Sequence, residues 1–355
     1  MHQRRLLQCC SPLRQVGQGR LSHLVPTLRC SRKHSQLQVR AVAKAAARSA
    51  AKKTAPAPAP AASVPTGPEF EAACPICQQT TFQLQSGIER QRVDLRCERC
   101  SRTFRTSQPY FDLTTTSGLP QTQSFQQSFW GGTQIFRSPL VSFAYERGWR
   151  QGFSWAGFPG ADQELQMALD YMRPAWGQVL LDMSCASGVF SRRFVRSKRF
   201  SGVIAADFSD SMLQQAGQYF SEDRTLDPRD YVLLKADVGR MPFATGSLAA
   251  IHAGAAMHCW PDPALAVAEI SRVLKPGGVF VASTFLNSAS LVGSVIGDDR
   301  VRPLMKIENQ AMRSYKWWEE LELKELTEAM GLTKFTRTRQ RQFIMFSVRK
   351  PGTLE

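Results

Sequence analysis

From residue 179 onward, short apolar runs recur along the chain, each closed by an acid, a small residue or a turn. Val179-Leu180-Leu181 runs into Asp182, Met183 and the small residues Ser184, Cys185, Ala186, Ser187 and Gly188. Val203-Ile204-Ala205-Ala206 ends in Asp207, and residues 231–234 lead through Lys235 and Ala236 to Asp237 and Val238. A fourth run, residues 248–251, passes through His252 and Ala253 into Gly254, and a fifth follows Leu274-Lys275-Pro276-Gly277-Gly278. That pentapeptide predicts a helix end and a tight turn before a strand. Runs this short and this continuously apolar predict strands buried on both faces.

Helical segments between the runs imply right-handed βαβ crossovers, a parallel sheet covered on both faces, and ligands at the carboxyl ends of the strands. Toward the end of the chain, residues 319–330 place Leu323, Leu326 and Met330 on one helix face, with Gly331 as the stop. Residues 334–341 and 342–350 predict a closing hairpin, with Phe343 to Phe346 as its buried strand.

The turn after the first strand carries the candidate chemistry. Small side chains let a ligand approach the backbone, and the first N–H groups of the following helix have no partner of their own. Nucleotide-like cofactors bind at such turns. Asp207, 25 positions after Asp182, lies where the acid following such a turn reaches ribose hydroxyls.

On these motifs residues 178 to 285 resemble the S-adenosylmethionine-dependent methyltransferases of the seven-stranded, Rossmann-like class, in the branch with Leu-Lys-Pro-Gly-Gly before the fifth strand. The resemblance implies an α/β fold. It also implies that Asp182 and the turn face the methionine part of the cofactor, that Asp207 binds the ribose, and that Asp237 and Val238 border the adenine. Ser184, Cys185, Ala186, Gly188, His252 and Gly254 complete the candidate cofactor set. The family's turn is Asp-x-Gly-x-Gly-x-Gly, whereas this chain has Ser184 and Ala186 at the first two glycines and keeps Gly188 alone. Serine and alanine resist positive φ, so the turn is reached either with ordinary angles or with strain. A non-catalytic scaffold with a degenerate turn is the alternative.

Upstream, Cys74-Pro75-Ile76-Cys77 and Cys97-Glu98-Arg99-Cys100 are two C-x2-C knuckles separated by 19 residues, a spacing that predicts a structural four-thiolate zinc site. Residues 70 to 113 are too few to build much core without a metal. This ribbon resembles the zinc module of bacterial rRNA guanine-N1 methyltransferases in its position and its opening Cys-Pro-x-Cys. From about Cys74 to Lys350 the chain resembles a group of chloroplast methyltransferases of plants and algae, including Tyr145-Glu146-Arg147-Gly148-Trp149-Arg150, Gly157-Phe158-Pro159-Gly160 and residues 252–260.

Ten aromatics lie between Phe125 and Phe158, which suits either a cap over a flat, apolar methyl acceptor or plain packing between domains. After the fourth strand, His258 reaches the sheet edge where the acceptor belongs and is the candidate proton acceptor, or a loop residue only. Residues 286–312 fall where the family inserts substrate-covering elements.

Composition changes the picture mainly at the start. The net charge of +16 looks like that of a nucleic-acid binder, but residues 1–68 hold twelve Lys and Arg and no acid, leaving +4 for the rest. An Arg-rich, acid-free leader with an Ala-Pro stretch at residues 55–60 predicts a chloroplast transit peptide recognised by the import machinery, with the mitochondrion as alternative. No apolar stretch approaches the roughly 18 residues of a membrane span, while peripheral membrane association stays open. The expected organisation is a leader (1–68), a zinc ribbon (69–113), an aromatic connector (114–174) and a methyltransferase domain (175–350). The expected acceptor is a small aromatic, quinone-like or lipid molecule. Plastid rRNA is the alternative, suggested by Arg90, Arg92, Arg96, Arg99, Arg102 and Arg105.

Overall fold

The computed structural model describes residues 67–86, 93–107, 109–118, 151–287 and 316–354. Residues 1–66 of the leader, Arg90, Arg92, the aromatics from Phe125 to Trp149 and nearly all of the 286–312 insertion lie outside them.

The described chain forms β1 (Phe82–Ser86), β2 (Val93–Cys97), β3 (Thr103–Phe104), β4 (Thr106–Ser107) and β5 (Tyr110–Asp112). There follow α1 (Ala161–Tyr171), β6 (Val179–Met183), α2 (Val189–Ser197), β7 (Gly202–Asp207), α3 (Asp210–Glu222), β8 (Tyr231–Lys235) and β9 (Leu248–Ala253). The chain closes with α4 (Pro263–Val273), β10 (Leu274–Phe285), α5 (Glu320–Ala329), β11 (Thr333–Gln340) and β12 (Phe343–Arg349).

One sheet runs in the order β11-β12-β10-β9-β6-β7-β8-β5-β4. Its core strands β8, β7, β6, β9 and β10 are parallel, β12 pairs antiparallel with β10, and β11 pairs antiparallel with β12 at the sheet edge. These seven strands form the expected Rossmann-like sheet. The ribbon segment then extends it, because β5 pairs parallel to β8 and β4 pairs antiparallel to β5. The strands β1, β2 and β3 form a separate small sheet.

Neighbouring residues on the central strands point to opposite faces, so each face has its own core. Leu181, Met183, Ile204, Leu234, Ile251 and Phe280 pack on one side. Leu180, Val203, Ala205, Leu233, Ala250 and Val281 pack on the other, with α2 contributing Phe190 and Phe194. Burial on both sides is why these strands read as unbroken apolar runs rather than alternating ones. Phe104, Cys74, Cys97 and Leu113 share the first of these cores, so the ribbon is packed onto the sheet. Tyr110, from the ribbon segment, is buried in the second core and donates its hydroxyl to Asp210.

Helix starts follow local chemistry. Ser209 caps α3 by accepting from the Met212 N–H, and Asp262 caps α4 by accepting from Leu265 across 2.9 Å, just before the proline at its first position. The Pro-Gly-Gly turn is an irregularity inside β10 rather than a break before it, with a register shift between Leu274 and Val279 and Gly277 at φ +77°.

Candidate cofactor site and cysteine cluster

The turn between β6 and α2 contains three residues in left-handed backbone: Ser184 at φ +61°, Ala186 at +50° and Gly188 at +81°. Of the two routes open to this turn, strain is the one taken: serine and alanine adopt the glycine-like angles, at a cost of roughly 1–2 kcal/mol each. Gly188 has a second constraint, since a Cβ there would lie 2.8 Å from the Phe220 ring.

Neighbouring side chains hold the strained turn. The indole Nε1 of the buried Trp260 donates to Ser184 Oγ at 3.1 Å. The Ala186 N–H donates to Asp207 Oδ2 at 2.9 Å, and the Cys185 N–H to the Ala206 carbonyl at 3.0 Å. Asp207 also accepts from the Ser209 N–H at 2.8 Å. Its half-buried carboxylate is therefore oriented by main-chain donors, while burial pushes its pKa up despite them. Each carboxylate oxygen has lone pairs beyond the bond it accepts, and hydroxyl donors can use them. Phe208, the next residue, is 37% exposed, and the Lys235 ammonium lies 5.9 Å from its ring centroid. The exposed ring beside Asp207 was missed in the sequence, where its signal was only an aromatic residue in a polar stretch.

Asp182 and His252 lie beneath the turn. Asp182 is 1% exposed and His252 is fully buried. Asp182 Oδ1 and His252 Nδ1 are 2.7 Å apart, and the Ser191 hydroxyl of α2 donates to Asp182 Oδ2. Asp182 thus ties β6, β9 and α2 together, with His252 as its partner on β9. Gly254 then gives room to the imidazole, since a Cβ there would come within 2.9 Å of His252 Cε1. Cys185 is buried and its thiol is pushed up by burial, which makes it a packing residue rather than a nucleophile.

Asp237 accepts from the Gly239 N–H at 2.9 Å and begins a tight turn closed by Arg240 N–H to the Asp237 carbonyl at 3.0 Å. Val238 within it is buried. At the far side of the sheet's carboxyl edge, Phe285 gathers four rings: Phe158 at 4.6 Å, His258 at 4.9 Å, Phe153 at 5.1 Å and Trp317 at 5.5 Å between centroids. Burial lowers the His258 pKa to about 4, and its Nδ1 lies 3.5 Å from Thr284 Oγ1.

A family model described as a methyltransferase domain matches residues 181–282. An uncharacterized chloroplastic methyltransferase of Arabidopsis thaliana is 43% identical over 284 residues, covering 79% of this chain and 78% of the relative. The chain belongs to the S-adenosylmethionine-dependent class I methyltransferases. A second such protein of the same plant is 42% identical over 290 residues, 79% of either chain. A malonyl-[acyl-carrier protein] O-methyltransferase of Alcanivorax borkumensis is 35% identical over 98 residues, 28% of this chain and 32% of that protein.

This methyltransferase brings its four upstream cysteines together. The sulfurs of Cys74, Cys77, Cys97 and Cys100 all lie within 4.8 Å of one another, with Cys74 to Cys100 at 3.6 Å and Cys77 to Cys97 at 3.5 Å. A tetrahedral zinc with bonds of about 2.3 Å needs sulfurs about 3.8 Å apart. The two knuckles repeat one geometry. Gln78 N–H donates to the Cys74 carbonyl at 2.9 Å and Ser101 N–H to that of Cys97 at 3.0 Å. Gln78 and Ser101 both have positive φ, at +61° and +58°. The Gln79 N–H, with smaller help from the neighbouring sulfurs, pulls the Cys77 thiol down to about 7, while burial pushes Cys74 up to about 12. Among the described residues this is the sole cluster of potential metal ligands of its kind.

Proposed function

We propose that this methyltransferase works in the chloroplast, carries structural zinc in its ribbon, and methylates a small aromatic, quinone-like or lipid acceptor. The observation that carries the acceptor reading is the ring cluster around Phe285 at the carboxyl edge of the sheet, in which Phe153 and Trp317 are only half-buried. Tilted and edge-on rings form an apolar wall suited to a flat acceptor and to a sulfonium charge.

The donor half follows from the turn. The cofactor supplies a methyl group activated as a sulfonium. Asp207 accepts hydrogen bonds from ribose hydroxyls, Phe208 and the Asp237–Val238 corner border the adenine, and residues 184–188 face the methionine part. Asp182 and His252 hold that surface from below. His258, neutral at physiological pH, can accept a hydrogen bond from an acceptor hydroxyl but is a weak base at a pKa of about 4. Orientation and exclusion of water therefore supply most of the rate.

Four protein thiolates close the zinc tetrahedron, so the metal stabilises the ribbon and leaves no position for substrate. Chloroplast residence is supported by the acid-free leader and by the chloroplastic relatives, and the import machinery is then a transient partner. No helix of the described residues is long and apolar enough to cross a membrane.

The rRNA alternative is weaker on one specific ground. Arg102, counted in the basic face, turns inward and donates to the Ser117 carbonyl at 2.7 Å, so it serves the ribbon rather than a phosphate. Methyl transfer from labelled cofactor to a chloroplast lipid and quinone extract, set beside transfer to plastid rRNA, decides between the two. Label in the RNA alone overturns the small-molecule reading.

A further inference from the structure

The two C-x2-C knuckles are equivalent in backbone geometry but not in surroundings. The first is bound to the loop that follows the adenine-side acid. Arg240 donates from Nε to the Pro75 carbonyl and from Nη2 to the Ile76 carbonyl at 2.8 Å. Pro75 and Ile76 are the two residues between Cys74 and Cys77. The same Arg240 closes the turn that begins at Asp237 through its own N–H. One residue thus ends the cofactor-side turn with its main chain and grips the metal knuckle with its guanidinium.

The contact continues along both segments. Ala73 N–H donates to the Pro242 carbonyl at 2.9 Å, Ala244 N–H to the Glu71 carbonyl at 2.9 Å, and Ala72 and Phe243 form an antiparallel bridge. Phe70 meets Phe243 edge-on at 5.6 Å. From the other side, α4 holds the same loop. Glu269 accepts from the Met241 N–H at 2.8 Å, and Arg272 donates to the Met241 carbonyl at 3.0 Å and the Phe243 carbonyl at 2.9 Å. Residues 237–244 are therefore clamped between a metal knuckle and a helix.

A second tie reaches the ribose side. The ribbon's β5 pairs with β8, and its Tyr110 hydroxyl donates to Asp210, which also receives Lys235 Nζ at 2.7 Å. Lys235 lies beside the Phe208 ring.

We propose that the cysteine knuckle sets the conformation of residues 237–244, and with it the affinity for the nucleoside end of S-adenosylmethionine, with Arg240 as the positioning residue that carries the coupling. The inference rests on the zinc reading and on the cofactor reading above. Within the knuckle, metal binding fixes the two carbonyls that Arg240 grips; a loosened knuckle releases the guanidinium, and the turn it closes widens its range of conformations. Binding then requires ordering the loop, and affinity falls.

The test uses the full chain and measures calorimetrically the Kd for S-adenosylhomocysteine and for 5′-methylthioadenosine, which keeps only the nucleoside end. Zinc per chain is measured in parallel with a chromogenic chelator after thiol modification. Arg240→Ala is expected to keep its zinc, to weaken both ligands by the same factor of about three to ten, and to regain part of the loss as Arg240→Lys. Removing metal from the wild type is expected to weaken both ligands at least as much, and removing it from Arg240→Ala to add little. Wild-type affinities in zinc-loaded Arg240→Ala overturn the proposal. A wild-type chain isolated without zinc overturns the metal reading alone, and the Arg240→Ala affinities still decide the coupling. A wild type that binds neither ligand overturns the cofactor reading and the proposal with it.

Discussion

The indole N–H of Trp260 donates to the hydroxyl of Ser184 across 3.1 Å, joining the loop after β9 to the turn after β6. Ser184 stands in a left-handed conformation that a glycine would adopt freely, so the bond secures a backbone shape that the residue itself disfavours. The serine hydroxyl thus supplies an anchor that glycine lacks.

Breaking the bond from either end is expected to cost stability, and breaking both ends less than the sum. Ser184→Ala leaves a buried indole donor without its acceptor and keeps the strain, at about 1–3 kcal/mol. Trp260→Phe removes the donor and part of the packing. Urea denaturation of both single variants and the double variant gives the coupling, expected at about 1 kcal/mol. Strict additivity contradicts the role given to this bond.

Ala186 has no such compensation from its side chain, which ends at a methyl. Ala186→Gly relaxes a residue held at φ +50° and is expected to stabilise the protein by about 0.5–1 kcal/mol, after allowance for glycine's larger unfolded-state entropy. A drop in stability on this substitution contradicts the strained turn.

The sheet was legible because its strands are apolar on both faces: residues such as Leu180 and Leu181 feed different cores, and that pattern has few other solutions. The cysteine cluster was legible for a similar reason, since spacing alone brings four thiols together. Conformation at Ser184 and Ala186 was not, because nothing in a side chain reveals whether the surrounding fold forces positive φ. The burial of Asp182 and His252 against each other was not legible either. Strand pairing sets the two residues opposite each other in the sheet interior, which a local pattern does not encode. The extension of the sheet by β5 and the grip of Arg240 on the first knuckle depend on contacts more than a hundred residues apart in the chain, which no local pattern encodes.

Acid sensitivity is expected from His258. Burial holds its pKa at about 4 in the fold, against about 6.5 when unfolded. Between those values the unfolded chain takes up the extra proton, so the contribution is complete above pH 6.5 and is lost as pH falls toward 4. Two and a half units correspond to at most about 3.4 kcal/mol. From pH 7.5 to 5.5 the wild type is expected to lose about 1 kcal/mol more than His258→Gln by urea denaturation. Asp207, whose raised pKa acts in the opposite direction at lower pH, is common to both chains and cancels in the comparison. Equal losses contradict a half-buried, neutral His258.

The central claim is that a turn with two of its three glycines replaced still binds the methyl donor. Calorimetric titration of the full chain with S-adenosylmethionine and with S-adenosylhomocysteine tests it most directly, with Asp207→Ala as the control. Micromolar binding of both ligands by the wild type, and a loss of at least tenfold in the variant, is the expected result. A folded, zinc-loaded wild type that binds neither contradicts the claim and leaves a scaffold that has kept the fold of its family without the chemistry.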